Sequence, residues 1–466
     1  MKNSPEFPLI FMALSSIGAV AVCLNSWWTS DELKYGFMDS KVKLVFTDEQ
    51  RLAKIKGFVS EMGVQTVLCR HQNSDKSDEF WNSLLTSKNN ELPRTTIDQD
   101  SDFAVMYTSG STGHPKGVVM THRGAISTLM SWHFGLRVLD VMGLGPVPYV
   151  DKNNQPYQPC QLVSVPFFHV SGTHGGLLLA LWSGTKLVIM KKWDPPEAVR
   201  LIELEKVSRF GGVPTMAAEI LGEAKKVGAK LESIRLIDTG GAARPADQAR
   251  EMAESIPNVL TGTSYGMTET NALGIAIRGK EYLENPEVTG RLIAPLAEMR
   301  IVDEFDNDVE IGNVGELVLK SAANMRCYLN KDAETSEVLK DGWLYTGDLA
   351  KIDKNELITL VDRKKNIIIR GGENISAQEV QTVILEHPDV IEAAIFALPN
   401  ERLGEIVGAC VFCGETSNAD EDSLKEFLGK SLAAYKIPEH IWFKKKPLPR
   451  VASEKIDVEA LKKEYS

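Results

Sequence analysis

Apolar residues fall along this chain in two rhythms, and the points where one gives way to the other mark its elements. Short runs at 44–47, 66–69, 186–190 and 235–238 are too brief for helices and read as buried strands. Between the last two, residues 197–206 and 216–226 carry the helical period. This strand–helix–strand alternation predicts parallel sheets covered by helices. From 300–303 to 316–319 the strands shorten and are joined by acidic turns such as 304–308, which predicts antiparallel, barrel-like structure. Beyond Asp362, a helix at 377–385, strands at 393–397 and 407–412 and a helix at 424–432 make a compact α+β unit. The expected fold class is α/β: a large multi-subdomain N-terminal domain with βαβ sheets and a small antiparallel barrel, then a small α+β C-terminal domain.

Residues 7–29 carry no charge and follow Lys2, a pattern shared with leader peptides and membrane spans. Against that, Ser4-Pro5-Glu6 has the form of a helix start, with a capping serine, a proline in the first turn and an early acid. Gly18 predicts the stop after about four turns. Residues 19–24 then read as a short buried strand, so the stretch is expected to be folded core rather than a stable membrane insertion, with peripheral contact left open. Composition agrees with a globular protein of two or three domains: 466 residues, 43% hydrophobic and 25% charged, which excludes disordered and collagen-like classes. The net charge of −11 argues against a nucleic-acid surface over the whole protein, although Lys444-Lys445-Lys446 is locally basic. Of six cysteines only Cys410 and Cys413 have CxxC spacing, and they lie in an apolar strand-like run. Buried reduced thiols in a cytoplasmic protein are expected.

Residues 108–117 carry the chemistry: Thr108, Ser109, Ser111 and Thr112 supply hydroxyls, Gly110, Gly113 and Gly117 free the backbone, and Lys116 supplies charge. Such a loop turns N–H groups toward an anion and suits phosphates. It is not a Walker A loop, because Pro115 stands where the second glycine should be and Gly117 follows the lysine in place of a hydroxyl. Strand-like runs at 103–107 and 118–120 flank it, giving strand–loop–strand. The loop resembles the phosphate loop of the adenylate-forming (AMP-binding) superfamily, acyl-CoA synthetase and fatty-acid–CoA ligase branch. Further segments follow in that family's order: Pro166-Phe167-Phe168-His169-Val170-Ser171-Gly172, Ser264-Tyr265-Gly266-Met267-Thr268-Glu269-Thr270, Tyr345-Thr346-Gly347-Asp348, Asp362-Arg363-Lys364-Lys365 with Gly371-Gly372-Glu373-Asn374-Ile375, and Leu448-Pro449-Arg450 leading to Lys455. The resemblance covers essentially the whole chain.

It implies that a small-molecule carboxylic acid reacts with ATP to give acyl-adenylate and pyrophosphate, and that the acyl group then passes to coenzyme A with loss of AMP. ATP, Mg2+ and coenzyme A are the implied cofactors. Residue by residue, Thr108, Ser109, Gly110, Ser111, Thr112, Gly113 and Lys116 would hold the β and γ phosphates. Gly240, Gly241, Ala242, Tyr265 and Gly266 would lie by the adenine, Thr268 at the α-phosphate, and Glu269 on magnesium. Asp348 would take the ribose hydroxyls with Arg363 as its cationic companion, and His169 would gate the acyl pocket. Lys455 would carry the first half-reaction. The implied division is 1–364 for the adenylation domain and 365–466 for a mobile domain that turns at Lys365 and presents Gly371 and Gly372 to the thiol. The chain departs from the family at Ser453-Glu454-Lys455, where Thr-Gly-Lys is usual, and at Asn366, which replaces a common acid. The family places the first helix and strand after several further elements, so the resemblance implies a chain lacking those opening elements. Phe167, Phe168, Val170, Leu177 and Leu178 suit a fatty acyl chain or any core. The segment around His169 and the loop 139–159 resemble the fatty-acyl branch. Loading of a free-standing carrier protein, or an inactive nucleotide-binding relative, remain the alternatives.

Overall fold

The computed structural model describes residues 1–70, 79–86, 91–92, 94–108, 115–241, 246–370, 373–414, 417, 419–451 and 454–465. The alternating pattern folds into a seven-stranded sheet in the order Arg291–Leu292, Gly274–Arg278, Leu260–Gly266, Leu236–Gly240, Arg209–Gly212, Cys160–Val163, Lys186–Ile189. From Leu260–Gly266 to Lys186–Ile189 every pairing is parallel, and the two strands at the other edge run antiparallel. Helices Pro195–Glu205 and Pro214–Val227 bury Ala198, Val199, Ile202, Met216, Ala217 and Ile220 against one face. Proline in the first turn of each costs no hydrogen bond, since that N–H has no intrahelical acceptor.

A second sheet of four strands joins Ala21–Cys23, Asp102–Thr108, Lys116–Thr121 and Cys327–Tyr328, so the strand–loop–strand reading holds, with the two flanking strands antiparallel. The runs near 44 and 66 pair with each other, in a separate parallel pair. The acidic-turn region forms an antiparallel five-stranded sheet in which Trp343–Ile352 bonds Gly315–Ser321, Leu339–Lys340 and Ile358–Arg363. The small C-terminal domain has its own five-stranded sheet and core.

Three local expectations are corrected. Ser4 does not cap the first helix: Pro5 stands directly before Glu6–Ser16, the buried Ser4 hydroxyl has no partner, and its backbone carbonyl accepts from Phe7 N at 3.1 Å. Gly18 does end that helix, at φ +72°. The helix expected at 424–432 runs Glu421–Leu428, because Asp420 and Ser423 close a reciprocal capping box that starts it earlier. The loop expected from residue 139 begins after Val141, since Thr121 caps a long helix, His122–Val141. Cys410 is buried and Cys413 half-buried, both as free thiols. Among the described residues no helix is long and apolar enough to cross a membrane.

Candidate functional site

The carboxyl ends of parallel strands are where sheets of this kind expose a crevice, and two such strands end on glycines. A Cβ on Gly240 would stand 2.6 Å from the Ser264 carbonyl, and one on Gly266 2.3 Å from the Ala272 carbonyl, so only glycine lets these backbones touch. Gly241 adopts φ +77°, and the place of its missing Cβ lies 3.3 Å from Cε and 3.5 Å from Nζ of Lys455. The small domain thus lays its last lysine on the rim of the large-domain sheet. The residue stays exposed to the cleft, yet protein crowds its ammonium: burial lowers the pKa, Arg363 lowers it further and Asp348 raises it.

Asp348 is buried in the strand Trp343–Ile352 and joins two other predicted site residues. Its Oδ1 accepts from Arg363 Nε at 2.9 Å and its Oδ2 from the Tyr265 hydroxyl at 2.6 Å. Burial, then Asp348, pushes the Tyr265 phenol well above its ordinary value, so it stays a neutral donor. On the far side of the same strand end, Thr268–Thr270 makes one short turn. Glu269 in it is buried, with Oε1 accepting from the Tyr328 hydroxyl at 2.9 Å, and burial raises its pKa. Tyr328 also faces Lys116, whose Nζ stands 4.9 Å over its ring. Thr108 lies opposite Lys116 in the antiparallel register, with Oγ1 donating to the Lys116 carbonyl at 3.5 Å. Ser109, Gly110, Ser111, Thr112, Gly113, Ala242, Gly371 and Gly372 lie outside the described residues.

His169 precedes a π-helix, Ser171–Leu178. Its Nε2 is buried without a partner, and burial, with the Lys455 charge second, lowers its pKa to about 4. The imidazole is therefore neutral near pH 7. Phe167, Phe168, Val170, Leu177 and Leu178, weighed above as acyl-pocket lining or core, pack into a hydrophobic core with Phe11, Phe103 and Met106. The ring of Phe7 stacks on Phe167 at 5.1 Å.

Several positioning residues escaped the sequence reading. Asn3 clamps the His169 segment across a separation no local pattern reveals, donating to the Val165 carbonyl at 2.9 Å and accepting from Phe167 N at 2.9 Å. His174 and Asn271 meet at 2.9 Å in the interior, tying the π-helix to the residue that ends the Glu269 turn. Glu392 accepts from Leu448 N at 2.6 Å and pairs with Arg450, whose Nη1 donates to the Glu454 carbonyl at 2.6 Å, fixing the loop that carries Lys455. Glu454 itself sits at φ +64°. Its half-buried carboxyl is raised by burial, lowered by Arg450, raised by Glu219 of the large domain and lowered by Lys192. Trp193 Nε1 donates to that same Glu219 at 2.6 Å.

Two family patterns match the chain: AMP-binding enzyme over residues 1–329, and AMP-binding enzyme C-terminal domain over residues 379–455. A 4-coumarate–CoA ligase of Vanilla planifolia is 29% identical over 466 residues, spanning 98% of this chain and 81% of the relative. 4-Coumarate–CoA ligase-like 6 of Arabidopsis thaliana is 30% identical, spanning 94% of this chain and 75% of the relative. Among solved structures, the o-succinylbenzoate CoA synthetase of Bacillus subtilis with its acyl-adenylate intermediate superposes with TM-score 0.80 at 26% identity, covering 99% of this chain and 86% of that one. The Mycobacterium tuberculosis fatty acyl CoA synthetase gives TM-score 0.73 at 27% identity, covering 100% and 86%. With its glycine-rimmed sheet, its Asp348–Arg363 pair and its lysine-bearing small domain, the chain belongs to the AMP-binding enzyme family of the adenylate-forming superfamily.

Proposed function

We propose that this enzyme activates an apolar carboxylic acid, a medium- or long-chain fatty acid or an arylpropenoic acid like that of its coumarate-ligase relatives, and transfers it to coenzyme A. Its class is that of ATP-dependent, AMP-forming acid–thiol ligases, with ATP, Mg2+ and coenzyme A as cofactors. The observation that carries the reading is the approach of Lys455 to Gly241, beside the Asp348–Arg363 pair and the neutral His169.

The first barrier is the repulsion between a carboxylate and a triphosphate. Lys455 would sit between the two, a compact charge that neutralises both. Thr268 would donate to the α-phosphate, and Asp348, with lone pairs to spare beyond its two present donors, would accept from the ribose diol. His169, uncharged, would close the acid side without adding a competing cation. Thr108 and Lys116, with the loop 109–114, would hold the outer phosphates. Glu269 offers a hard oxygen whose lone pairs Tyr328 only partly occupies, which fits one protein ligand to a magnesium ion that otherwise keeps phosphate oxygens and waters. Magnesium, when bound, supplies charge neutralisation on the phosphates. Among the described residues no cluster of three or more His, Cys, Asp or Glu side chains forms a protein cage for a metal. We place the domain boundary at 364/365, with rotation at the short turn Lys364–Asn366 bringing Gly371 and Gly372 to the thiol, and we assign the enzyme to the cytoplasm.

Pyrophosphate release measured over a panel of acids, with and without coenzyme A, tests the reading. Acid-dependent release with acyl-CoA as product is expected. Release without transfer to coenzyme A would redirect the second step to a carrier protein, and no release with any acid would refute the proposal.

A further inference from the structure

Arg209 opens the strand Arg209–Gly212, at the end opposite the crevice that Lys455 enters. Phe210 and its register partners Leu162 and Ile237 point into the core beneath the helices. The pleat therefore turns Arg209, its neighbour Gln161 and Gly211 to the other face, the face on which the π-helix packs. Gln161 Nε2 donates there to the Gly175 carbonyl at 3.1 Å. Two positions on this face are open: a Cβ on Gly175 would meet nothing within 4 Å, and one on Gly211 only the Asp238 carbonyl at 3.6 Å. The space between sheet and π-helix thus continues from the His169 end toward Arg209.

Arg209 itself is half-buried and makes no hydrogen bond or ion pair with any described residue. Asp140, the acid that acts on it, is already held by Arg137 at 3.1 Å, and burial lowers the Arg209 pKa against the opposing pull of Asp140. Arg235, at the start of the adjacent strand, adds a second cation at this end of the sheet, its guanidinium carbon 5.0 Å over the Tyr149 ring. A guanidinium withdrawn from water without a counter-charge is costly. Its place at the end of an open face identifies where the counter-charge belongs.

We propose that Arg209 is a specificity-determining residue that receives a negatively charged group at the far end of the acid, so that the preferred substrate is a dicarboxylate with an apolar middle. The inference rests on the acid-activating reading above and narrows it. One carboxylate reacts near Lys455; the other, about 10 Å further in along the strand at about 3.3 Å per residue, pairs with Arg209.

The test compares straight-chain monocarboxylates with α,ω-dicarboxylates of matched length, in wild type and in Arg209→Met and Arg209→Lys variants. Wild type is expected to favour the best diacid over its matched monoacid at least about tenfold in kcat/KM. Arg209→Met should erase that preference through the KM of the diacid, with kcat little moved, and Arg209→Lys should restore part of it. The rise in melting temperature on adding ATP checks that each variant is folded. Monoacid turnover without a diacid preference, or a preference that survives Arg209→Met, would overturn the inference while leaving the acid-activating reading intact. Direct binding of the two acid series, followed by melting temperature, decides the question even where turnover is absent: equal shifts in wild type count against it.

Discussion

At the scale of single residues, the position before Lys455 is where this chain differs most from its family pattern. A left-handed backbone costs a residue with a Cβ on the order of 1 kcal/mol, and Glu454 adopts it at φ +64° while facing Glu219 across the domain seam. Glu454→Gly is therefore expected to raise the rate of adenylate formation severalfold. An unchanged or lower rate, measured as ATP–pyrophosphate exchange, refutes this. Lys455→Ala should abolish that exchange yet spare thioester formation from supplied acyl-adenylate, because the lysine meets reactants only in the arrangement seen here; equal loss in both assays speaks against rotation. His169 and His174 bear on pH. Burial, the largest cause for each, lowers both from 6.5 to about 4. Between those values the unfolded chain binds protons that the native protein does not, so stability is complete above about pH 6.5 and falls as pH drops toward 4, by at most about 1.4 kcal/mol per unit for each histidine. Denaturation midpoints that stay flat from pH 6.5 to 5 would contradict it.

At the scale of elements, the junction between domains hangs on one carboxylate. Asp362, buried at the end of the strand Ile358–Arg363, accepts from Ser376 Oγ at 2.8 Å and Gln378 N at 3.0 Å, while Ser376 caps the helix Ala377–Leu385 through Glu379 N at 3.0 Å. Asp362→Ala strands these donors in the interior and is expected to cost about 2–3 kcal/mol, read as a lowered denaturation midpoint. A midpoint unchanged within error removes Asp362 from this role. The sequence pattern made these elements legible wherever local chemistry set them: the strand–loop–strand around Lys116, the proline-started helices, the acidic turns. It misplaced the start of Glu421–Leu428 because Asp420 and Ser423 cap in reciprocal fashion, and it took Ser4 for a cap because only the tertiary setting shows that hydroxyl buried and idle. The motif order led to Asp348, Arg363, Glu269 and Lys455. Partners such as Asn3, Tyr328 and Glu392 carry no local signature, since each acts through a contact made only after folding.

At the scale of the whole molecule, the large and small domains meet where charges of one sign face each other, and that seam has an optical consequence. Trp193 donates its indole N–H to Glu219, and Glu219 in turn faces Glu454 of the small domain. Withdrawal of Glu454 removes a nearby negative charge from the carboxylate that holds the indole, altering the field along the ring and with it the emission wavelength. The protein thus contains its own fluorophore for domain motion. In a Trp193→Phe difference spectrum, the Trp193 emission should shift when coenzyme A is added after adenylate has formed, and the shift should vanish in Glu454→Gly.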